Sequence, residues 1–317
     1  NLQKDDSSIP LKMNKPTPVY LGYRLIIRGE YMTEEKNTYI ESVADYLNAL
    51  PQNQEFSDTL LDKLTLFRGQ GNKEWDLMPS VMRNREDYLN EELYIKECIR
   101  QYPEEFINMS KIDMLIKMQH YGVPTRLLDL TKNPLIALYF ACVSEPNKDG
   151  VVYAICGPIA RSSDLYVNVI TECVFNHKSH GNMYIKKRSL KIDGVDLPED
   201  SVKSIINSET PIIFEALLTN ARIKNQNGYF AIYRGEKNWQ EIKFQHKIFV
   251  KKEFKEQIIH QLSMVGIDSK YIFPELSNGV SCIVSSVKRR NLEFNKQFHT
   301  PFDVNAKQRV PFQNHPM

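Results

Sequence analysis

A short apolar run, Leu64-Thr65-Leu66-Phe67, passes without a break into Arg68-Gly69-Gln70-Gly71. Leucine, threonine and phenylalanine in so short a run read as a buried strand. That strand ends on an arginine, a glutamine and two glycines, so the fold has to bring polar groups to the edge of an apolar sheet. Other segments repeat the pattern. Val19 to Ile27 and Gly150 to Ile155 read as strands, Val123 to Thr131 as a strand or extended arm, and Ile212 to Phe214 and Gly228 to Tyr233 as two more.

Helical spacing fills the intervals. Thr33 can cap a helix on which Ile40, Val43, Leu47 and Leu50 form one stripe before Pro51. Glu86 to Tyr102 carries Leu89, Leu93 and Ile99 and stops before Pro103. Ile112, Leu115, Ile116 and Gln119 give a third helix its face, and Gly122 suits the left-handed position that closes it. Pro134 to Val143 reads as a helix with proline in its first turn. Phe254, Ile258, Leu262 and Val265 mark another, ended by Gly266 and followed by an exposed-looking turn, Tyr271 to Pro274. The expected class is α+β, with a mixed β core lining one cleft and helices around it. Residues 157–210, polar with charged islands, read as an inserted subregion rather than a second core. Residues 1–30 read as an N-terminal extension with a strand, 31–285 as the main domain, and 286–317 as a loose tail opening on Lys288-Arg289-Arg290.

Composition narrows the function classes. Across 317 residues, 41 Lys and Arg face 39 Asp and Glu, a balance that argues against a tail-driven nucleic-acid binder. With 42% hydrophobic and 25% charged residues the chain can bury a core. No apolar run approaches the ~18 residues of a membrane helix, and Asn1 to Lys15 lacks an apolar signal segment. Cys98, Cys142, Cys156, Cys173 and Cys282 are scattered without a CxxC pair, which suggests buried thiols and a cytoplasmic location. Cys173, His177 and His180 have a metal-like spacing but lack a fourth ligand and lie in a polar loop, so no metal is expected. There is no Walker loop, GxGxxG, HExxH or GxSxG motif.

Several segments occur together in a familiar order: Leu66-Phe67-Arg68-Gly69-Gln70, Trp75 to Arg83, Gln119-His120-Tyr121-Gly122-Val123-Pro124-Thr125-Arg126-Leu127-Leu128-Asp129-Leu130-Thr131, and Asn133 to Ala141. Arg222-Ile223, Gln226, Gly228 and Phe230 follow, then Val265-Gly266-Ile267 and Ile272 to Leu276. The chain resembles the FRG domain family over about residues 40–285. It departs from that pattern at Leu130, where the family more often has tryptophan, and in the long segment between Ile155 and Ile212. The motif order is also similar, more weakly, to the ADP-ribosyltransferase superfamily. Those enzymes hold NAD with an early-strand Arg or His, wall the nicotinamide pocket with a Ser or Thr strand and its helix, and carry a late polar residue, typically Glu.

That second resemblance implies NAD as co-substrate, with Arg68, His120 and Gln226 in catalytic positions. Arg68, Gly69, Gln70, Tyr121, Thr125, Arg126 and Asp129 are then the cofactor-binding set. Gly69 and Gly71 would let a ligand approach the backbone. Gln226 lacks the charge of the usual glutamate, and Glu215 could replace it only if the segment from Ala216 to Asn225 folds it back. A purely structural arginine tied to Asp129 stays open for Arg68, and helix capping for His120. The implied function is an ADP-ribosyltransferase-like transferase or toxin, plausibly in bacterial conflict or phage defence. Its target would be a protein or nucleic acid, with a regulatory protein partner conceivable and no membrane involved. The alternatives are a non-enzymatic sensor of a nucleotide or phage component and a nucleic-acid-processing protein.

Overall fold

The computed structural model describes residues 38–51, 64–176, 178–179, 182–183, 189–207, 210–218, 220–234, 242 and 246–275. The expected strand Val19 to Ile27, Thr33, His177, His180, Cys282 and Lys288 to Arg290 lie outside the described residues.

Strand β1 (Thr38–Ile40) and helix α1 (Val43–Ala49) come first. Ile40 is therefore a strand residue and not the first turn of a helix. Ser42, whose hydroxyl accepts from the Asp45 amide, supplies the cap. β2 (Thr65–Gln70) carries the apolar run past Phe67 through Arg68 and Gly69. Arg68 thus sits within the strand rather than at its end. A single 3-10 turn, Ser80–Met82, leads to α2 (Arg85–Gln101), and α3 (Lys111–His120) follows. Ser110 caps α3, and Gly122 at φ 89° turns the chain back from it, as the sequence suggests.

β3 (Leu127–Thr131) and α4 (Pro134–Val143) come next, with the Asn133 side chain accepting from the Leu135 amide to start the helix. β4 (Gly150–Cys156) and β5 (Ile159–Arg161) precede α5 (Leu165–Asn176). Two small hairpins follow, β6 (Lys178–Ser179) with β7 (Asn182–Met183) and β8 (Ser189–Ile192) with β9 (Val195–Pro198). The order closes with α6 (Glu199–Ile206), β10 (Ile212–Glu215), α7 (Ala221–Asn225), β11 (Gly228–Ile232), β12 (His246–Val250), α8 (Lys255–Met264) and α9 (Ser269–Ile272). The segment from Tyr271 to Pro274 is accordingly not a free turn, because Ile272 ends α9 and is fully buried. Among the described residues, no helix is long and apolar enough to cross a membrane.

Eight strands form one mixed sheet in the order β1-β12-β4-β2-β3-β11-β10-β5. Its first face has two separate covers. Phe67, Val152, Ala154 and Ile248 pack against α1, α4 and α8, while Leu127, Phe214, Phe230 and Ile232 pack against α3 and α5. The opposite face, with Leu66, Leu128, Leu130, Tyr153 and Ala231, is covered by Val81, Met82, Tyr88 and Ile242. The 157–210 segment takes part in this core: Val167, Val169, Ile170, Cys173 and Val174 of α5 are fully buried, joined by Val202 and Ile205 of α6. Apolar residues at helical spacing between polar ones supply that core, so average polarity misjudges the segment.

Candidate functional site

β2 and β3 are neighbours at the middle of the sheet but share one register pair, Phe67 with Thr131. Beyond it the strands part, and the outward carbonyl of Asp129 would lack a strand partner. Arg68 Nη1 donates to that carbonyl at 2.8 Å. The same nitrogen stands 3.6 Å from Asp129 Oδ2. Alternation along β2 puts Arg68 on the face of Leu66 and Gln70, opposite Tyr153 of β4, so its guanidinium reaches the Asp129 carbonyl through the opening. A strand carbonyl without a ladder partner takes another donor, and here a side chain supplies it.

Asp129 lies on the other face, between Leu127, which belongs to the cluster under α3 and α5, and Thr131, which pairs with Phe67 under α4. The two helical covers separate above it, and its side chain is 57% exposed. Gln119, in the last turn of α3, donates to Asp129 Oδ1 at 2.7 Å and accepts from the Thr125 hydroxyl. Thr125 itself is held by Ser80, whose hydroxyl accepts from the Thr125 amide at 3.2 Å. Arg83, just after the 3-10 turn, donates to the Met78 carbonyl and lies in the field of both groups. Desolvation first, then the like charge of Arg68, lowers its pKa, and Asp129 counters them.

The neighbouring residue on α3 opens a second group. His120 Nε2 is 3.2 Å from Glu275 Oε1, with Arg222 of α7 at 4.0 Å from the same oxygen. Burial first, then the Arg222 charge, pushes the imidazole below its ordinary pKa, and Glu275 opposes them. Arg222 lies over the Phe273 ring at 4.8 Å from its centroid, and Tyr121 meets His120 edge-on with 74% of its surface exposed. The Gln226 main-chain carbonyl accepts from the Thr131 hydroxyl at 2.6 Å, and its side-chain amide donates to the Ile272 carbonyl at 3.1 Å. Arg68, Asp129, Gln119 and Thr125 thus form one polar cluster, and His120, Glu275 and Arg222 form a second group that begins at the next residue of α3.

Three of the residues expected at a ligand do other work. Arg126 is fully buried, paired with Glu91 and donating to the carbonyls of Tyr233 and Arg234. A lone buried arginine is costly, and the sequence hid its mate because Glu91 lies on α2, 35 residues away. Gly69 admits no ligand, since a Cβ there would lie 1.8 Å from the Ala137 carbonyl oxygen, and Ser144 likewise occupies the space at Gly71. The glycines serve close packing of α4. Gln70 is 3% exposed and donates to the Asp76 carbonyl at 3.2 Å, while its own oxygen is buried without a partner. Glu215 ends β10 opposite Tyr229, which opposes Leu130. It therefore lies on the sheet face away from Asp129 and is not folded back toward Gln226.

Glu275, Arg222, Arg83 and Gln119 all lie in the segments that carry the family resemblance, but the sequence does not single them out as site residues, because each is an ordinary polar residue that acquires a role through distant partners. The Cys173 thiol is buried in the core and pushed up to about 12 by burial first, then Glu172. A groove of about 480 Å³ beside β1, lined by Tyr39, Lys73, Lys148, Asp149, Lys251 and Lys252 among others, shares no residue with either polar group.

Fold and site together define a mixed α/β protein whose polar groups gather where its central sheet opens. The FRG domain family model matches residues 63–150 of the chain. That span holds Arg68, Arg83, Gln119, His120 and Asp129, while Arg222, Gln226 and Glu275 lie beyond it. No curated protein and no solved structure matches the chain.

Proposed function

We propose that the polar cluster around Asp129 binds a phosphate-bearing nucleotide, NAD foremost, and transfers ADP-ribose from it. The observation that carries this reading is the Arg68 guanidinium beside the exposed carboxylate of Asp129 at an opening in the sheet, with Arg83 in the field of both. Guanidiniums bind phosphate oxygens bidentately, so Arg68 and Arg83 take the pyrophosphate. Asp129, held by Gln119, faces the ribose and stabilises the positive charge that develops as the nicotinamide bond breaks. It fills the role that the motif order would give to a late glutamate. Thr131 and the capped start of α4 wall the nicotinamide side, and the exposed ring of Tyr121 offers a stacking surface.

A second reading, binding without turnover, draws on Gln226. Its neutral amide is engaged by Ile272, and Glu215 lies on the wrong face to replace it. Mass spectrometry of proteins and nucleic acids from cells expressing the chain separates the two. Added ADP-ribose, absent when Asp129→Asn is expressed, is expected from the transferase. Unmodified targets alongside measurable NAD binding would leave a sensor.

A further inference from the structure

We infer that Thr125 is a positioning residue: its hydroxyl sets the orientation of the Gln119 amide and, through that amide, decides which carboxylate oxygen of Asp129 is left for a ligand. For its effect on turnover the inference rests on the transferase reading above, and it adds the group that orients Asp129.

The hydrogen bonds run in one direction. The Leu127 amide donates to Thr125 Oγ1 at 3.3 Å, and the Thr125 hydroxyl proton goes on to Gln119 Oε1. With its oxygen taken, Gln119 turns its nitrogen to the carboxylate, and Nε2 donates to Asp129 Oδ1 at 2.7 Å. A flipped amide would set Gln119 Oε1 against Asp129 Oδ1, two acceptors with no proton between them. Oδ1 is therefore committed. Oδ2, 3.6 Å from Arg68 Nη1 on a side chain that is 57% exposed, is the oxygen open to a ligand.

Thr125 cannot touch that ligand itself, because it is 1% exposed. The sequence pattern sets it in the cofactor-binding group, whereas its burial makes it act through Gln119. Its main chain is held separately. The Ser80 hydroxyl accepts from the Thr125 amide at 3.2 Å and donates to the Thr125 carbonyl at 3.4 Å, and the Val81 amide donates to that carbonyl at 3.3 Å. Ser80 and Val81 form the 3-10 turn that Arg83 follows. Thr125 thus ties the Arg83 turn through its backbone and Asp129 through its hydroxyl, and loss of the hydroxyl alone loosens only the second tie. A misaimed carboxylate lowers the rate of reaction of a bound substrate more than its affinity.

The test uses the full chain and three changes: Thr125→Val keeps the shape without the hydroxyl, Thr125→Ser keeps the hydroxyl, and Gln119→Met removes the amide and assigns its NMR resonances. In wild-type protein the Gln119 side-chain amide protons should exchange slowly with solvent. Thr125→Val should make them exchange as a free amide does, and Thr125→Ser should restore the protection. Calorimetry should find ADP-ribose bound equally by wild type and Thr125→Val, since Arg68 and Arg83 are untouched. Nicotinamide release from NAD, with a cell lysate as the source of acceptors, should fall about 10²-fold in kcat for Thr125→Val with KM unchanged, and recover in Thr125→Ser. In a Gln119→Met background, Thr125→Val should add no further loss. A freely exchanging Gln119 amide in wild type overturns the inference whether or not the variants fold. Full turnover by Thr125→Val, or a loss that persists in the Gln119→Met background, overturns it too. No nicotinamide release by wild type, with the Gln119 amide protected, overturns the transferase reading and leaves the orienting role of Thr125 standing.

Discussion

Arg68 is bound to Asp129 chiefly through the main chain: its guanidinium meets the carbonyl oxygen at 2.8 Å and the carboxylate at 3.6 Å. Asp129 keeps 57% of its side chain exposed while Arg68 keeps 17%, so the pair is not a buried ion pair. Arg68→Ala should therefore cost about 1–2 kcal/mol, the scale of one lost charge-assisted hydrogen bond to a carbonyl. Adding Asp129→Asn should give no rescue, because the stranded acceptor is main chain. Urea denaturation of the two single variants and the double reads this directly. Recovery of stability in the double would assign the interaction to the carboxylate.

Glu91 and Arg126 make the contrasting case. Both are fully buried, at 0% exposure. Glu91→Ala strands a guanidinium in the core and should cost about 3–5 kcal/mol. Glu91→Leu with Arg126→Met should recover only part of that loss, because the Tyr233 and Arg234 carbonyls then lose the Arg126 donor. Thermal melts of the three variants distinguish a core pair from a ligand group, since the double variant, once folded, should bind nucleotide as wild type does.

Gly69→Ala tests the packing of α4 on β2. The added methyl would fall 1.8 Å from the Ala137 carbonyl oxygen and 2.8 Å from the Ala141 amide nitrogen, both main-chain atoms of the helix. The helix has to move as a body, so the loss should reach about 3 kcal/mol, the upper range of overpacking. A midpoint shift in urea with an unchanged slope is the expected result.

Stability should also fall on mild acidification through His120. Its folded pKa is depressed by burial and then by Arg222, so the unfolded chain takes up the proton first as pH drops through about 6.5. The contribution is complete above that pH and is lost as pH falls through the folded value. Arg222→Ala removes a like charge and should raise the His120 pKa. An NMR titration of the ring protons, run on both proteins, would show that upward displacement.

The strands and long helices were legible wherever apolar residues kept a regular period. Pro134 to Val143 is such a helix, and the runs at Gly150 and Gly228 are strands at the expected places. What the local pattern could not show was pairing. Asp129 lies between two leucines, and only the parting of two helical covers shows that it is exposed. Arg126, three residues upstream, looked like a ligand clamp, yet Glu91 claims it. The helix α5 was hidden because the polar residues around it lower the average hydrophobicity of its segment. His120 and Arg68 were visible as candidates, whereas Glu275 gains its role only when α9 docks through Asn225 and Gln226.

Calorimetric titration of NAD into wild-type protein and into Arg68→Ala tests the central claim most directly. Saturable binding by the wild type, lost or weakened at least tenfold in a variant that melts within a few degrees of it, is the predicted result. Equal heats for the two proteins, or no binding of NAD and ADP-ribose to folded wild type, would contradict the assignment of the Arg68 and Asp129 opening as a nucleotide site.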